Sequence, residues 1–302
     1  MTVQTDTQAS FDPRQALLDW YQRHRRVLPW RRDANPYSVL VSEIMLHQTQ
    51  VDRVVPYFEA FVARFPTFEA LASASRAEVI RLWAGLGYNR RAVALHEAAE
   101  IVVQRHGGRL PTDRRSLEEL PGVGRYTAGA ILSIALGKDE PALDTNARRV
   151  LARYTYDRRP PGPRALEDTA RALLPSGRAG EWNQALMDLA ANVCLARRPC
   201  CLICPIRQGC GAAERGEGWD SVSPRRASPY GGSVRYFRGR LLSELNRLPA
   251  GAVDSLASVA GRLAQQGVAE PSAGWHEVGR ALERDGLARI GQSAEGPVIG
   301  IG

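Results

Sequence analysis

The chain has 302 residues, enough for two domains, and its 44% hydrophobic and 24% charged side chains exclude a largely disordered protein. No apolar run reaches the ~18–20 residues that cross a bilayer, and Met1–Asp12 lacks the basic-then-apolar order of a signal peptide, so a cytoplasmic protein with no membrane partner is expected. The net charge of +8 favours a polyanionic partner, and the excess lies in residues 1–226 (32 basic, 25 acidic, net +7) rather than in 227–302 (8 and 7, net +1).

Residues 1–12 read as a polar, flexible terminus, and residues 13–215 as a run of short helices. Apolar side chains recur at three- and four-residue spacing in Ala16–Tyr21, Val51–Phe61 and Val79–Trp83. Leu28-Pro29, Asn35-Pro36, Gly85-Leu86-Gly87, Gly107-Gly108 and Pro121-Gly122 punctuate the run, and no segment alternates long enough for a central sheet. The stretch Val39–Leu46 is apolar almost all round and should be buried, which places Glu43 out of water. Burial favours the protonated form of a carboxyl and suits a proton donor; a salt-bridged core glutamate is the plainer alternative.

Leu120-Pro121-Gly122-Val123-Gly124 precedes an apolar helix that opens at Arg125 and runs through Ile134. Two glycines allow a tight turn with backbone N–H groups presented at a helix start, an arrangement that suits a DNA phosphate, although many helix connections contain such a pair. Asp144 stands where the next helix should begin, so that it is an N-cap whether or not it has a further role. All five cysteines fall between positions 194 and 210, and Cys194, Cys201, Cys204 and Cys210 form C-x6-C-x2-C-x5-C. Four thiolates suit zinc or a 4Fe–4S cluster. Zinc ribbons use two C-x2-C pairs and this stretch has one, which favours iron and sulfur; Cys200 is expected to point away. Arg197, Arg198 and Arg207 lie on the same loop and could meet phosphate oxygens.

Residues 216–232 are rich in Gly, Ser, Pro and Arg and read as a linker. Beyond it, Val234, Phe237, Leu241, Leu245 and Leu248 mark a helix that stops at Pro249. Val253, Leu256, Val259 and Leu263 mark a second that ends at Gly267, and Trp275, Val278 and Leu282 a third. With Leu287–Ile290 and a Gly-rich end, residues 233–302 have the pattern of a small winged-helix-like module.

Taken together, Leu28-Pro29-Trp30-Arg31, the run Ser42–Val51, Gly85-Leu86-Gly87-Tyr88, the hairpin Leu120–Ala130, Leu143-Asp144-Thr145-Asn146, Asn183–Leu189 and the four cysteines resemble the MutY-type adenine glycosylases of the helix-hairpin-helix superfamily over roughly residues 15–212. The resemblance implies an all-α fold of two helical subdomains, a six-helix barrel at about 30–140 and an iron–sulfur subdomain from 13–29 and 141–215, within a glycosylase domain at 13–215. It implies a 4Fe–4S cluster on Cys194, Cys201, Cys204 and Cys210, and a monomeric repair enzyme acting on double-stranded DNA that carries a mismatch or an oxidised guanine, nucleoid-associated if bacterial. By the same resemblance Glu43 protonates adenine at N7 and Asp144 stabilises the cationic sugar, with Tyr126 and Asn146 positioning the two acids. Arg26, Trp30, Arg31, Leu46 and Gln184 match substrate-binding positions. Gln48, Thr49 and Tyr88 match the residues that enter the base stack and meet the opposite base, and Pro121, Gly122, Val123 and Gly124 the turn that holds the DNA backbone.

Bifunctional relatives of the endonuclease III type carry a lysine in the hairpin, where this chain has Tyr126; its only lysine is Lys138, at the far end of the following helix. A monofunctional enzyme that leaves an abasic site is therefore expected. The sequence departs from the family in His47, where glutamine is usual, in Thr145 for glycine, and in a short tail that does not read as the family's mixed α/β lesion-recognition domain. A thymine or uracil mismatch glycosylase on the same fold, and a non-catalytic iron–sulfur DNA-binding protein, are the competing readings.

Overall fold

The computed structural model describes residues 11–156, 162–215 and 230–302. The N-terminus before residue 11 and most of the expected linker lie outside the described residues. The chain divides into two compact units, one of residues 1–39, 112–114 and 124–224, the other of residues 40–111, 115–123 and 225–302.

The first unit is helical. Helix α1 (Pro13–His24) is capped by Asp12, whose side chain accepts from Arg14 N, and has proline in its first turn. Helix α2 (Pro36–Leu46) has its first residues in this unit and the rest in the second, and later α8 (Arg125–Ala130) continues into a π-turn at Ile131–Ala135. Helices α9 (Thr145–Thr155), α10 (Pro163–Leu173), α11 (Ala179–Asn192) and the short α12 (Gly211–Glu214) complete it. Leu17 and Leu18 of α1, Val150 and Leu151 of α9 and Trp182, Leu186 and Leu189 of α11 share one buried core, against which Cys194 and Cys204 also pack.

The second unit holds α3 (Val51–Arg64), α4 (Phe68–Ala72), α5 (Arg76–Trp83), α6 (Arg90–His106) and most of α7 (Arg114–Glu118), followed by the C-terminal residues. Those residues form α13 (Val234–Leu245), β1 (Val253–Ser255), α14 (Leu256–Gln265), α15 (Gly274–Arg284) and the hairpin β2 (Ala288–Ser293) and β3 (Gly296–Ile301). The antiparallel sheet has the order β1-β3-β2, with Val253 opposite Gly300. The three helices and the hairpin match the sequence pattern; two details differ. Helix α13 ends at Leu245, and Val253 belongs to a strand instead of a helix, because the Ser255 side chain accepts from Ser258 N and starts α14 only at Leu256. The core of this tail includes Ile80 of α5 and Val93 of α6 alongside Leu241, Val259, Leu263 and Ile299, so the tail packs on the α5–α6 flank.

Candidate active site

In the second unit, Glu43 sits on α2 among side chains that are nearly all out of water, and is itself only 5% exposed. The last carbonyls of a helix have no intrahelical partner. Here Arg91, from the start of α6, supplies one: its Nη1 donates to the carbonyls of Ile44, Met45 and His47 at 2.9, 2.7 and 2.7 Å. Its Nη2 donates to Thr49 Oγ1 at 3.1 Å and to the Gly87 carbonyl at 2.9 Å, and its Nε to the Tyr88 carbonyl at 3.3 Å. The guanidinium also lies over the Trp83 and Tyr88 rings. Burial pushes Arg91 down to about 10, which leaves it charged at neutral pH. Burial, and then the Arg91 charge, push His47 below its ordinary value, so the imidazole is held in its neutral form.

Gln48 and Tyr88 have φ of +59° and +49°. A non-glycine residue there costs about 1–3 kcal/mol and persists only where its surroundings hold it. Both residues flank groups that Arg91 binds. The sequence pairs Gln48 with Tyr88 by resemblance but singles out no Arg91, the residue that joins their two loops. In the expected DNA-backbone turn, Gly122 has φ +79°, and a Cβ there would stand 3.2 Å from the Ala94 side chain, so a larger residue would strain the turn and crowd α6.

In the first unit, Asp144 is the N-cap of α9. Its Oδ1 accepts from Ala147 N at 2.6 Å and its Oδ2 from Asn146 Nδ2 at 3.0 Å, while Arg149 Nη1 donates to Asn146 Oδ1 at 2.7 Å. The segment that delivers Asp144 is fixed by Asn183 of α11, which is 1% exposed. Asn183 accepts from Ala142 N at 3.1 Å and donates to the Glu140 carbonyl at 2.9 Å and to Ser133 Oγ at 2.8 Å. Tyr126, on α8, donates to Met187 Sδ at 3.9 Å, a weak contact. It lines a polar cleft with Arg114, Arg125, Leu143, Arg148 and Glu167.

The same unit gathers two of the expected substrate-binding residues, Arg26 and Arg31, around an acid the sequence left without a role. Asp188 of α11 is fully buried, and Arg31 reaches it through Nη1 to Oδ2 at 2.8 Å and Nη2 to Oδ1 at 3.0 Å. Arg26 adds Nε to Oδ1 at 2.7 Å and its backbone N to Oδ2 at 3.1 Å. Burial alone would push the Asp188 carboxyl up, but the hydrogen bonds and charges of Arg31 and Arg26 outweigh it and hold the group below its ordinary value. One helical turn earlier, Gln184 Oε1 accepts from Tyr21 Oη at 2.6 Å. Trp30 is buried, whereas Leu46 and Thr49 are half-buried and Gln48 exposed.

The four spaced cysteines are half-buried and unbridged, and Cys200 is exposed. Arg153 donates to Cys194 Sγ at 3.4 Å, and the sulfurs of Cys204 and Cys210 accept from the backbone N–H groups of Ile206 and of Ala213 and Ala212. Burial pushes Cys204 up to about 11, with the charges of Cys194, Cys210 and Cys201 adding to it, so the four thiols sense one another. Among the described residues no three such side chains converge on a single ion. A lone zinc would require all four sulfurs within about 2.3 Å of one point. The four thiols are soft donors, solvated by backbone N–H groups and partly shielded, a donor set that fits an iron–sulfur cluster. Arg197, Arg198 and Arg207 are exposed on this loop.

Residues 41–176 match the family model of the HhH-GPD superfamily base excision DNA repair proteins. An adenine DNA glycosylase of Mycobacterium tuberculosis is 44% identical over 234 residues, which cover 76% of this chain and 77% of the relative. The human adenine DNA glycosylase is 44% identical over 217 residues, 68% of this chain and 40% of its own. Among solved structures, a thermostable thymine-DNA glycosylase superposes with a TM-score of 0.63 at 32% identity, covering 67% of this chain and 95% of that one. An endonuclease III trapped on DNA shares the fold, with a TM-score of 0.59 at 22% identity over 67% of this chain and 94% of its own. The chain is thus a helix-hairpin-helix DNA glycosylase. Within that superfamily it belongs to the adenine DNA glycosylases of base excision repair.

Proposed function

We propose that this protein hydrolyses the N-glycosidic bond of adenine placed opposite 8-oxoguanine or guanine in double-stranded DNA, and leaves an abasic site without cutting the strand. The carrying observation is the pair of differently housed carboxyls: Glu43, 5% exposed on an apolar helix, and Asp144, half-buried and held as a hydrogen-bond acceptor by Ala147 N and Asn146. A buried acid on an apolar helix and a second acid fixed at a helix start are the pair of carboxyls that glycoside hydrolysis divides its labour between.

A duplex hides the bond, so the nucleotide is flipped out. Arg26, Trp30, Arg31, Leu46 and Gln184 bind the extruded adenine, and Glu43 gives its proton to N7. The base departs with the bonding electron pair, Asp144 stabilises the cationic sugar, water adds at the anomeric carbon, and its proton goes to the Glu43 carboxylate. Tyr126 and Asn146 position the acids. Gln48, Thr49 and Tyr88 fill the vacated stack and meet the opposite base, and Pro121–Gly124 binds a phosphate. Cys194, Cys201, Cys204 and Cys210 would hold a 4Fe–4S cluster, which would cross-link their loop. No helix among the described residues is long and apolar enough to cross a membrane, and we place the protein on DNA in the cytoplasm, as a monomer.

Single-turnover excision on duplexes with A opposite 8-oxoguanine, A opposite G, T opposite G and U opposite G tests this. Adenine release with strand breaks only after alkali is the expected result, and Glu43→Gln should abolish release while duplex binding persists. Activity confined to T or U opposite G would instead favour a mismatch thymine glycosylase, the reading that the likeness to a thymine-DNA glycosylase keeps in view.

A further inference from the structure

Arg235, in the first turn of α13, places its guanidinium 5.9 Å from the centre of the Tyr88 ring and 5.3 Å from that of Tyr230. Its Nη1 donates to Tyr88 Oη at 3.2 Å, across 147 residues of chain. The contact has a firm backing. Tyr230 meets Tyr236 edge-on at 5.7 Å, Tyr236 meets Phe237 at 5.3 Å and Phe237 meets the buried Trp275 at 5.8 Å, so the rings run without a break into the core of the C-terminal module. That module is fixed to the flank from which Tyr88 projects. Arg81 donates to the carbonyls of Leu248 and Pro249, both at 2.9 Å, and Arg90 and Arg238 converge on Asp285. Tyr88 itself is 45% exposed with a backbone in the left-handed region; Arg91 binds its carbonyl and lies 5.5 Å from its ring centre, and Arg235 adds the hydrogen bond to its hydroxyl.

We propose that Arg235 is a positioning residue for Tyr88, and that through this one guanidinium the C-terminal module sets how the enzyme discriminates the base opposite adenine. The inference rests on the reading of Tyr88 as the residue that meets that base. A ring held at its hydroxyl by Arg235 as well as beside Arg91 meets a nucleobase in a single orientation; released from Arg235, it would meet 8-oxoguanine and guanine more nearly alike.

The test is a double-mutant cycle of Arg235→Ala and Tyr88→Ala in the full chain. It is read by single-turnover excision of A opposite 8-oxoguanine and opposite guanine, and by affinity for the same duplexes carrying an uncleavable 2′-fluorinated adenosine. Arg235→Ala is expected to reduce the ratio of the two rates by about three- to tenfold, the size of a cation–π contact with a hydrogen bond, at unchanged melting temperature. Arg235→Lys should restore part of the ratio, and in the Tyr88→Ala background Arg235→Ala should change nothing further. An equal effect in both backgrounds, or none in either, overturns the proposal. If the wild-type protein releases no adenine yet the affinities of the four proteins for the duplexes show the expected coupling, the proposed function falls and the Arg235–Tyr88 relationship stands.

Discussion

Arg31 closes on Asp188 as a two-pronged clamp, with both guanidinium nitrogens on both carboxylate oxygens at 2.8 and 3.0 Å, and Asp188 has no exposed side-chain surface. The pair lies 157 residues apart in sequence and ties the loop after α1 to the middle of α11. Arg26 shares the same acid, so the two arginines expected to bind adenine are preset by a buried counter-charge.

Asp188→Asn should therefore cost stability and substrate positioning together. Removing one partner of a buried pair costs about 3–5 kcal/mol, and the lower end applies because Arg26 is 28% exposed. The pH dependence has a definite sign. The carboxyl is held below its ordinary value, so its contribution is present above the unfolded value of about 3.9 and is lost as pH falls through the lower folded value. Urea unfolding of the wild type should weaken across that acid range, and the same limb should be flatter in Asp188→Asn; matching curves for the two proteins would refute the clamp.

Arg91 gives the second prediction. Arg91→Met removes the guanidinium donors from the end of α2, leaves the Gly87 carbonyl with Trp83 Nε1 and the Tyr88 carbonyl with the main-chain N–H of residue 91, and relaxes two strained loops. Excision should fall by about 10- to 100-fold, corresponding to about 1.4–2.8 kcal/mol lost from loops that must be placed in advance. Arg91→Lys should recover only part, because an ammonium offers a compact set of three donors where the guanidinium fans out five. Hydrogen exchange would show the loss of protection at Thr49, whose N–H bonds the Leu46 carbonyl. Unaltered excision by Arg91→Met would show that Gln48 and Tyr88 hold their conformation without it.

What the sequence made legible was local. The cysteine spacing, the Asp144 cap, the Gly122 turn and the burial of Glu43 each depend on residues within a few positions of one another, and periodicity or turn chemistry reports such neighbours directly. Arg91 and Asp188 were not legible, because the partners of Arg91 in and after α2 lie 42–47 residues away and those of Asp188 157–162, and each sits in a pattern with an ordinary explanation, a helix start or a helix face. Arg235 was obscured in the same way, as one of the chain's 39 arginines, in a tail of nearly balanced charge. The strand at Val253 was missed because its three residues continue the apolar spacing of the following helix, and only the Ser255 cap separates them.

The cysteine loop supports a paired comparison. Cys204→Ser should abolish a broad visible absorption band and lower the melting temperature, since Cys204 packs against the core that holds α9 and α11. Cys200→Ser, at an exposed position, should alter neither. Removal of the metal by a chelator under oxidising conditions should reproduce the Cys204→Ser melting temperature in the wild type. A colourless wild-type protein containing one zinc per chain would refute the cluster.

Strand cleavage provides the last prediction. A lyase step needs an amine that attacks the anomeric carbon of the sugar, forms a Schiff base with loss of water, and eliminates the 3′ phosphate. Lys138 is the only lysine, and its Nζ donates to the Thr112 carbonyl, where it closes the loop after the π-turn and is spoken for by the main chain. The hairpin position that would carry the amine holds Tyr126, whose phenol contacts Met187 and has no lone-pair nitrogen to offer. Borohydride added during turnover should therefore trap no covalent protein–DNA adduct, and product strands should break only on heating in alkali. Tyr126→Lys introduces a primary amine at that position and should produce a borohydride-trapped adduct in a protein whose wild type gives none. An adduct with the wild-type chain that disappears in Lys138→Arg would show instead that Lys138 leaves Thr112 during the reaction and acts as the nucleophile.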